Sequence, residues 1–312
     1  MSSRKEDILP QMKNPNYIRN KTRRRELVEK QRILLKKQKK AERKKRKQEG
    51  QAPGIPRTIE NTREPDATIL DPKVEENEER IEEMNIDIQN DEFQSYFQND
   101  YEPKVLITYS DNPLSKTRAF GVELGRVIPN SLTRYRQRCS IKKIIKDASA
   151  KNFTDIVIIN ENQKQPNGLV VVHLPNGPTA HFRLSNVRIT PELKKDWREI
   201  STHRPEVILN NFTTRLGQSV ARLLASLFNI KPEFKGRRAV TFHNQRDYIF
   251  FRHHRYEFSP KAKPRLKELG PRFTLRLQSL QAGTFDSKTG EYEWIQTGRR
   301  HELETSRRRF YL

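Results

Sequence analysis

EVILNNFTTRLGQSVARLLASLF, from Glu206 to Phe228, decides how this chain of 312 residues folds. EVILNNF carries the dense apolar run of a strand. Beyond Thr214 the period changes. Val220, Leu224, Leu227 and Phe228 recur at i, i+4, i+7 and i+8, one face of an amphipathic helix that Leu223 widens, and Arg222 reads as surface.

The same succession stands about a hundred residues earlier. KVLITYS (Lys104–Ser110) is a strand, and SKTRAFGVELGRVI (Ser115–Ile128) sets Phe120, Leu124, Val127 and Ile128 at helical spacing. Each helix is followed by more strands. In the first half these are DIVIIN, GLVVVHL and PTAHFRLS, the last two joined at Pro175-Asn176-Gly177, a tight-turn signal. In the second they are AVTFHN, DYIFFRHH and RYEFS. The fold class is therefore α/β, a duplicated unit of two small sheets, each backed by helices and related by a pseudo-two-fold axis.

The copies differ. SIKKIIKDASAKN adds a helix to the first half, with Ser140 as N-cap, Ile141, Ile144, Ile145 and Ala148 on its buried face, and Asn152 as its stop. IKPEFKGRR holds that place in the second half and is too short and too broken by Pro and Gly for a comparable helix. Between the halves, Thr190-Pro191 opens a short helix, PELKKDWREI. Near the end, ELGPRFTLRLQSL alternates as a strand does. Phe273, Leu275 and Leu277 take one face, and Arg272, Thr274, Arg276 and Gln278 the other.

The flanks are polar. Residues 1–57 form a basic arm, with NKTRRRELVEKQRILLKKQKKAERKKRKQ at its heart, disordered alone and helical once its charge is neutralised. It reads as a nuclear import signal and an RNA-binding arm. Residues 58–101 are an acidic, Pro-containing linker ending in Phe93, Tyr96 and Phe97. It is a solvated connector, or a peptide that docks on a basic partner or shields the protein's own basic face. The folded part spans 102–297, with halves 102–190 and 191–297, and 298–312 is a basic tail.

Composition sets the class of partner. Lys and Arg number 62 against 39 Asp and Glu, a net charge of +23, and hydrophobic residues are 33%. A surplus of this size repels itself unless a polyanion answers it. Cys139 is the only cysteine, so no internal disulfide forms and nothing suggests secretion. No apolar run approaches a membrane span, and no membrane partner is expected. His243, His253 and His254 cluster without C-x-x-C or H-E-x-x-H, and no phosphate-cradling or nucleophile-elbow motif occurs. The expectation is no catalytic residue, no metal and no cofactor. Basic residues interleave with polar and aromatic ones instead. Candidate RNA contacts are Arg134, Arg136, Lys142 and Lys143 around the additional helix, Arg215 at the head of the second-half helix, and Arg237, Arg238 and Arg252 near strands. Without a recognition helix or zinc finger, structured RNA read by shape fits best.

The run from KVLITYSDNP through NGPTAHFRLSNVRI, PEVILNNFTTRLGQSVARLL, AVTFHNQRDYIFFRHHRYEF and ELGPRFTLRLQSL resembles a Brix domain, over about two hundred residues. Within that family GIPRTIENTRE (Gly54–Glu64) and ETSRRRFYL (Glu304–Leu312) are most similar to a large-subunit assembly factor. The resemblance implies two similar α/β halves like anticodon-binding domains. It also implies a nuclear, nucleolar factor that binds large-subunit precursor rRNA in preribosomal particles, beside a non-Brix protein partner. ELGPRF is then an RNA-contacting element carried by Gly270, Pro271, Arg272 and Phe273, with Arg276 and Gln278 farther along the strand. The small-subunit paralogue acting with the U3 small nucleolar ribonucleoprotein shares NGPTA, RLG, FRHH and GPRF. A third reading is a protein-interaction scaffold whose RNA binding is incidental.

Overall fold

The computed structural model describes residues 18–50, 56, 58, 78–193, 200–259, 263–286, 289–296 and 310–312. They fall into two compact units, 1–62 and 63–312. Among its described residues the first holds one helix, α1 (Lys21–Gln48), capped where the Asn20 side chain accepts from the amides of Thr22 and Arg23. Lys45, Arg46 and Lys47 complement the negative end of its dipole, and none of its residues is buried.

The second unit begins earlier than the linker reading implies. It starts with α2 (Glu78–Gln89) and α3 (Gln94–Phe97), ahead of β1 (Val105–Tyr109), α4 (Ser115–Val127), β2 (Ser131–Thr133), α5 (Ile141–Ala150), β3 (Asp155–Asn162), β4 (Gln165–His173) and β5 (Thr179–Arg188). The linking helix α6 is described over Thr190–Leu193, and the rest of its expected span, 194–199, lies outside the described residues. There follow β6 (Glu206–Asn210), α7 (Arg215–Ser226), a 3-10 turn at Phe234–Gly236, β7 (Arg238–Gln245), β8 (Tyr248–Phe258), β9 (Pro264–Glu268), β10 (Arg272–Gln281) and β11 (Tyr292–Ile295).

These strands make one sheet, not two. Its order is β2-β1-β3-β4-β5-β10-β8-β7-β6, with β9 beside β8 and β11 beside β10. The duplication shows in the pairing. β1 lies parallel to β3, which runs antiparallel to β4 and then β5. β6 lies parallel to β7, which runs antiparallel to β8 and then β10. The antiparallel β5–β10 pair is the seam. Each half alone would leave its last strand as an open edge with a row of unpaired N–H and C=O groups, and joining the two edges satisfies both. RYEFS is not a strand of its own: Tyr248–Phe258 runs unbroken, with no Gly, Pro or Asn to turn it. The counterpart of PTAHFRLS is therefore β10.

Both α4 and α7 pack on one face of this sheet, so the core is continuous. Phe120, Leu124 and Val127 of α4 and Val220, Leu223 and Leu224 of α7 meet Ile107, Phe182, Phe242 and Leu275 there. Phe273 of β10 stacks on Phe251 at 4.2 Å and takes the edge of Phe120 at 5.4 Å. The opposite face is treated unequally. In the first half α5, capped by Ser140, lays Ile141, Ile144, Ile145 and Ala148 over Ile156, Ile158 and Val172. That second cluster contains first-half residues and Phe285 alone among the described residues.

Two buried polar ties cross between the halves. Arg238, 2% exposed at the start of β7, donates to the carbonyls of Ser201 and His203 and to those of Arg126 and Val127 at the end of α4. Its Nε reaches His253 Nε2 at 3.1 Å. Asp155, at the start of β3, contacts His173 Nδ1 at 2.7 Å and accepts from Ser226 of α7 at 3.4 Å.

The acidic segment and the C-terminal residues join this unit too. Phe93 lies in the core, and the Tyr96 hydroxyl reaches the carbonyls of Ala225 and Phe228, each at 2.8 Å. Arg222 is not the free surface residue its helical position suggests. It holds Asp91 at 2.5 and 2.7 Å and lies over the Phe97 ring. At the other end Leu312 is buried in the core, and Thr214 donates to the Tyr311 carbonyl at 2.6 Å. The remainder of the expected basic tail, 298–309, lies outside the described residues.

Candidate nucleic-acid interface

The seam carries a row of arginines on the face away from the core. Pairing puts Arg276 of β10 directly opposite Arg183 of β5, and Arg272 opposite Arg188. Between these rows Thr274 stands between Ser185 and Phe250 of β8. Arg252, two residues along β8, shares that face by alternation. Like charges directly opposite on neighbouring strands destabilise a sheet. Arg276 has the Tyr248 ring 5.3 Å away and its hydroxyl at 3.5 Å. Glu268, at the end of β9, bonds Arg272 (Nε to Oε1, 2.8 Å) and lies 3.9 Å from Arg252. Burial alone would push the Glu268 carboxyl up; the Arg272 hydrogen bond and the Arg272 and Arg252 charges overcome it and hold it below its usual range. Burial and the neighbouring Arg272 charge lower the Arg252 guanidinium.

Arg252, Arg272 and Arg276 are thus brought together, as alternation predicts for the last two. The other candidates are elsewhere. Gly270 and Pro271 are buried. Gly270 has a φ of +86°, and a Cβ there would come within 2.7 Å of Thr190 Oγ1, so its close approach is to α6 rather than to a ligand. Gln278 leaves the arginine row because the register shifts between Leu277 and Ser279, and its amide bonds Gln296 at 2.9 Å. Arg238 is a structural tie, as described above. Arg215 sits at the head of α7, paired with Asp87. Arg134 and Lys143 are exposed around α5. Arg136 donates to the Cys139 carbonyl at 2.6 Å, and Lys142 pairs with Asp286 at 3.2 Å. Arg237 borders a recess at the end of β8.

Arg183 and Arg188 escape the sequence reading. The signal was present: Phe182 and Leu184 alternate with Arg183 and Ser185, as in ELGPRF. Arg188 is harder to place, because a register shift at Asn186, with φ +52°, resets the alternation.

The buried groups show ties rather than a reacting set. His173 and Ser226 both address Asp155 Oδ1, with no hydrogen bond between them, unlike a nucleophile held by its base. His253 gives Nδ1 to the Gly270 carbonyl at 2.7 Å, and burial and Arg238 push it down to about 4. Among the described residues no group of His, Cys, Asp and Glu gathers as a metal would require, and no helix is long and apolar enough to cross a membrane.

A Brix domain profile matches residues 110–279. A probable ribosome production factor 1 of Drosophila melanogaster is 55% identical over 309 residues, which cover 99% of this chain and 77% of the fly protein. Ribosome production factor 1 of Pongo abelii is 50% identical over 302 residues, 95% of this chain and 84% of that protein. The crystal structure of a probable ribosomal biogenesis protein from Aeropyrum pernix K1 aligns with 62% of this chain and 99% of its own, at 15% identity and a TM-score of 0.42.

Proposed function

The chain belongs to the Brix-domain family, and from that premise we propose that it is a non-enzymatic ribosome biogenesis factor that binds precursor rRNA of the large subunit. It works inside preribosomal particles in the nucleolus, beside a non-Brix assembly-factor partner. The relatives' names support the biogenesis role.

The observation that carries the RNA reading is the seam register that sets Arg183 against Arg276, neither with an ion pair among the described residues, beside Arg188 and the Glu268-paired Arg272. A bound phosphate backbone turns that repulsion into charge-assisted hydrogen bonds, and guanidinium forks suit phosphate oxygens. At the seam the face is a pleated surface of arginine, threonine, serine and aromatic side chains. It therefore reads the spacing and path of phosphates rather than base edges.

Crosslinking the parent to RNA in cells, with the reads mapped, tests the assignment. Reads concentrated on large-subunit precursor are expected, and reads on small-subunit precursor would overturn the large-subunit assignment. In vitro, the Arg183→Ala, Arg276→Ala variant should weaken binding to precursor fragments and lower the salt slope by about 1 per lost phosphate contact. A folded variant that matches the parent across the titration would remove this face from RNA binding.

A further inference from the structure

The ribbon of β8 and β9 has a second basic surface, on the opposite side from the arginine row. Register places Arg255 opposite Lys267, and Glu257 opposite Arg265. By alternation these side chains share the face of His253, past the end of the core. Together with Ser201 and the turn Gly236–Arg238 they line a recess of about 370 Å³. Its chemistry is lopsided. Arg237 has Glu257 at 4.0 Å, and both are more than half exposed. Among the described residues no ion pair or side-chain hydrogen bond holds Arg255, Arg265 or Lys267. Arg255 also faces Arg238 across the β7–β8 pair, while the Arg238 guanidinium is committed to carbonyls.

We propose that this recess binds the sugar–phosphate backbone of an unpaired RNA segment, as a contact separate from the arginine row on the other face. The proposal rests on the reading that the folded unit meets RNA, and it adds which form of RNA meets which face. A volume near 370 Å³ admits about one small ligand or nucleotide. A helical duplex is far too wide to enter it, whereas a single strand bends phosphate by phosphate into such a site. The unbonded cations give that strand charge-assisted partners without first breaking an internal ion pair. Glu257, the carboxylate within the recess, disfavours an acidic protein and a phosphate strand equally. The selection for RNA comes from Phe234 on the adjoining turn, 67% exposed, which offers a ring on which an unstacked base can lie.

The test uses the full chain with a thiouridine-substituted oligouridine as the single strand and an RNA duplex of matched charge. Photo-crosslinks of the oligouridine are expected within residues 234–238, 255–257 and 265–269. Arg255→Ala with Lys267→Ala should weaken oligouridine binding about tenfold and lower its salt slope by roughly 0.7 for each lost phosphate contact. Duplex affinity should stay within about twofold. The Arg183→Ala, Arg276→Ala variant should do the reverse. Oligouridine crosslinks absent from the recess, or unchanged binding by the recess variant, would overturn the proposal while leaving the arginine row intact. Equal losses toward oligouridine and polyglutamate would overturn the assignment to RNA and point to an acidic protein. Duplex binding indifferent to the seam variant would instead count against the general RNA reading.

Discussion

The two halves share an inner face and part company on the outer one. In the first half α5 covers the outer face, with Ile144, Ile145 and Ala148 against Ile156, Ile158 and Val172. In the second half the matching surface of β7, β8 and β10 carries Thr241, Phe250, Arg252 and Arg276, and Ile208 on β6 is 39% exposed. One copy uses its outer face for stability; the other leaves it available. Duplication makes that division possible, since a single shared core on the inner side supports both copies.

The comparison can be broken most forcefully at what the halves share. Phe273→Ala removes a ring that touches both Phe251 and Phe120, and should lower stability by about 3–5 kcal/mol. Denaturant unfolding should remain one transition. A split into two transitions would mean that the halves are separate folding units after all.

The outer faces come next. Ile158→Ala, under α5, should cost about 2–5 kcal/mol. Ile208→Ala, on the bare face, should stay within about half a kcal/mol. Equal losses in the same denaturation experiment would show that something covers both faces.

The tie at Arg238 predicts a pH dependence. His253 is held down to about 4 from an ordinary value near 6.5, so the unfolded chain binds the extra proton. Its contribution is complete above about pH 6.5 and is lost as pH falls toward 4, amounting to about 2 kcal/mol by about pH 5. The Glu123 carboxyl, raised by burial, titrates with the opposite sign, so the measurement is the difference between the parent and His253→Asn. A difference that stays flat from pH 7 to about 5 would show that the imidazole is not held neutral by its surroundings.

The smallest effect sharpens the division of labour. Arg183→Ala with Arg276→Ala should leave stability unchanged or raise it by a few tenths of a kcal/mol, because it relieves like charges across the seam. A clear loss in thermal unfolding would make the pair a packing element and weaken its role as a site.

Local structure was legible wherever it rests on period. The faces of α4 and α7, the Ser140 cap and the apolar row of β10 follow from spacing alone. The single sheet was not, because pairing β5 with β10 depends on two edges distant in sequence. Arg238 misleads for a related reason: a basic residue at a strand start resembles a surface charge until the loop and helix end that supply its carbonyls are in place. Phe93 and Tyr96 sit in an acidic stretch whose average hides two buried rings. Arg252 and Arg255 look like one patch in FRHHRY, yet their odd spacing sends them to opposite faces. That last distinction needed only alternation.

The crossed ties also set a timetable for biosynthesis. When a translating ribosome has released residues up to Arg188, β5 has no neighbour on its seam side, and Asp155 still lacks Ser226. Arg238 emerges later, and its acceptors at the end of α4 are already waiting. The seam closes only when β10 is out. Between the release of β5 and that of β10 the nascent chain therefore presents an unpaired strand edge, the form of partly made protein most exposed to mispairing. Such a chain is expected to depend on chaperones until β10 is added.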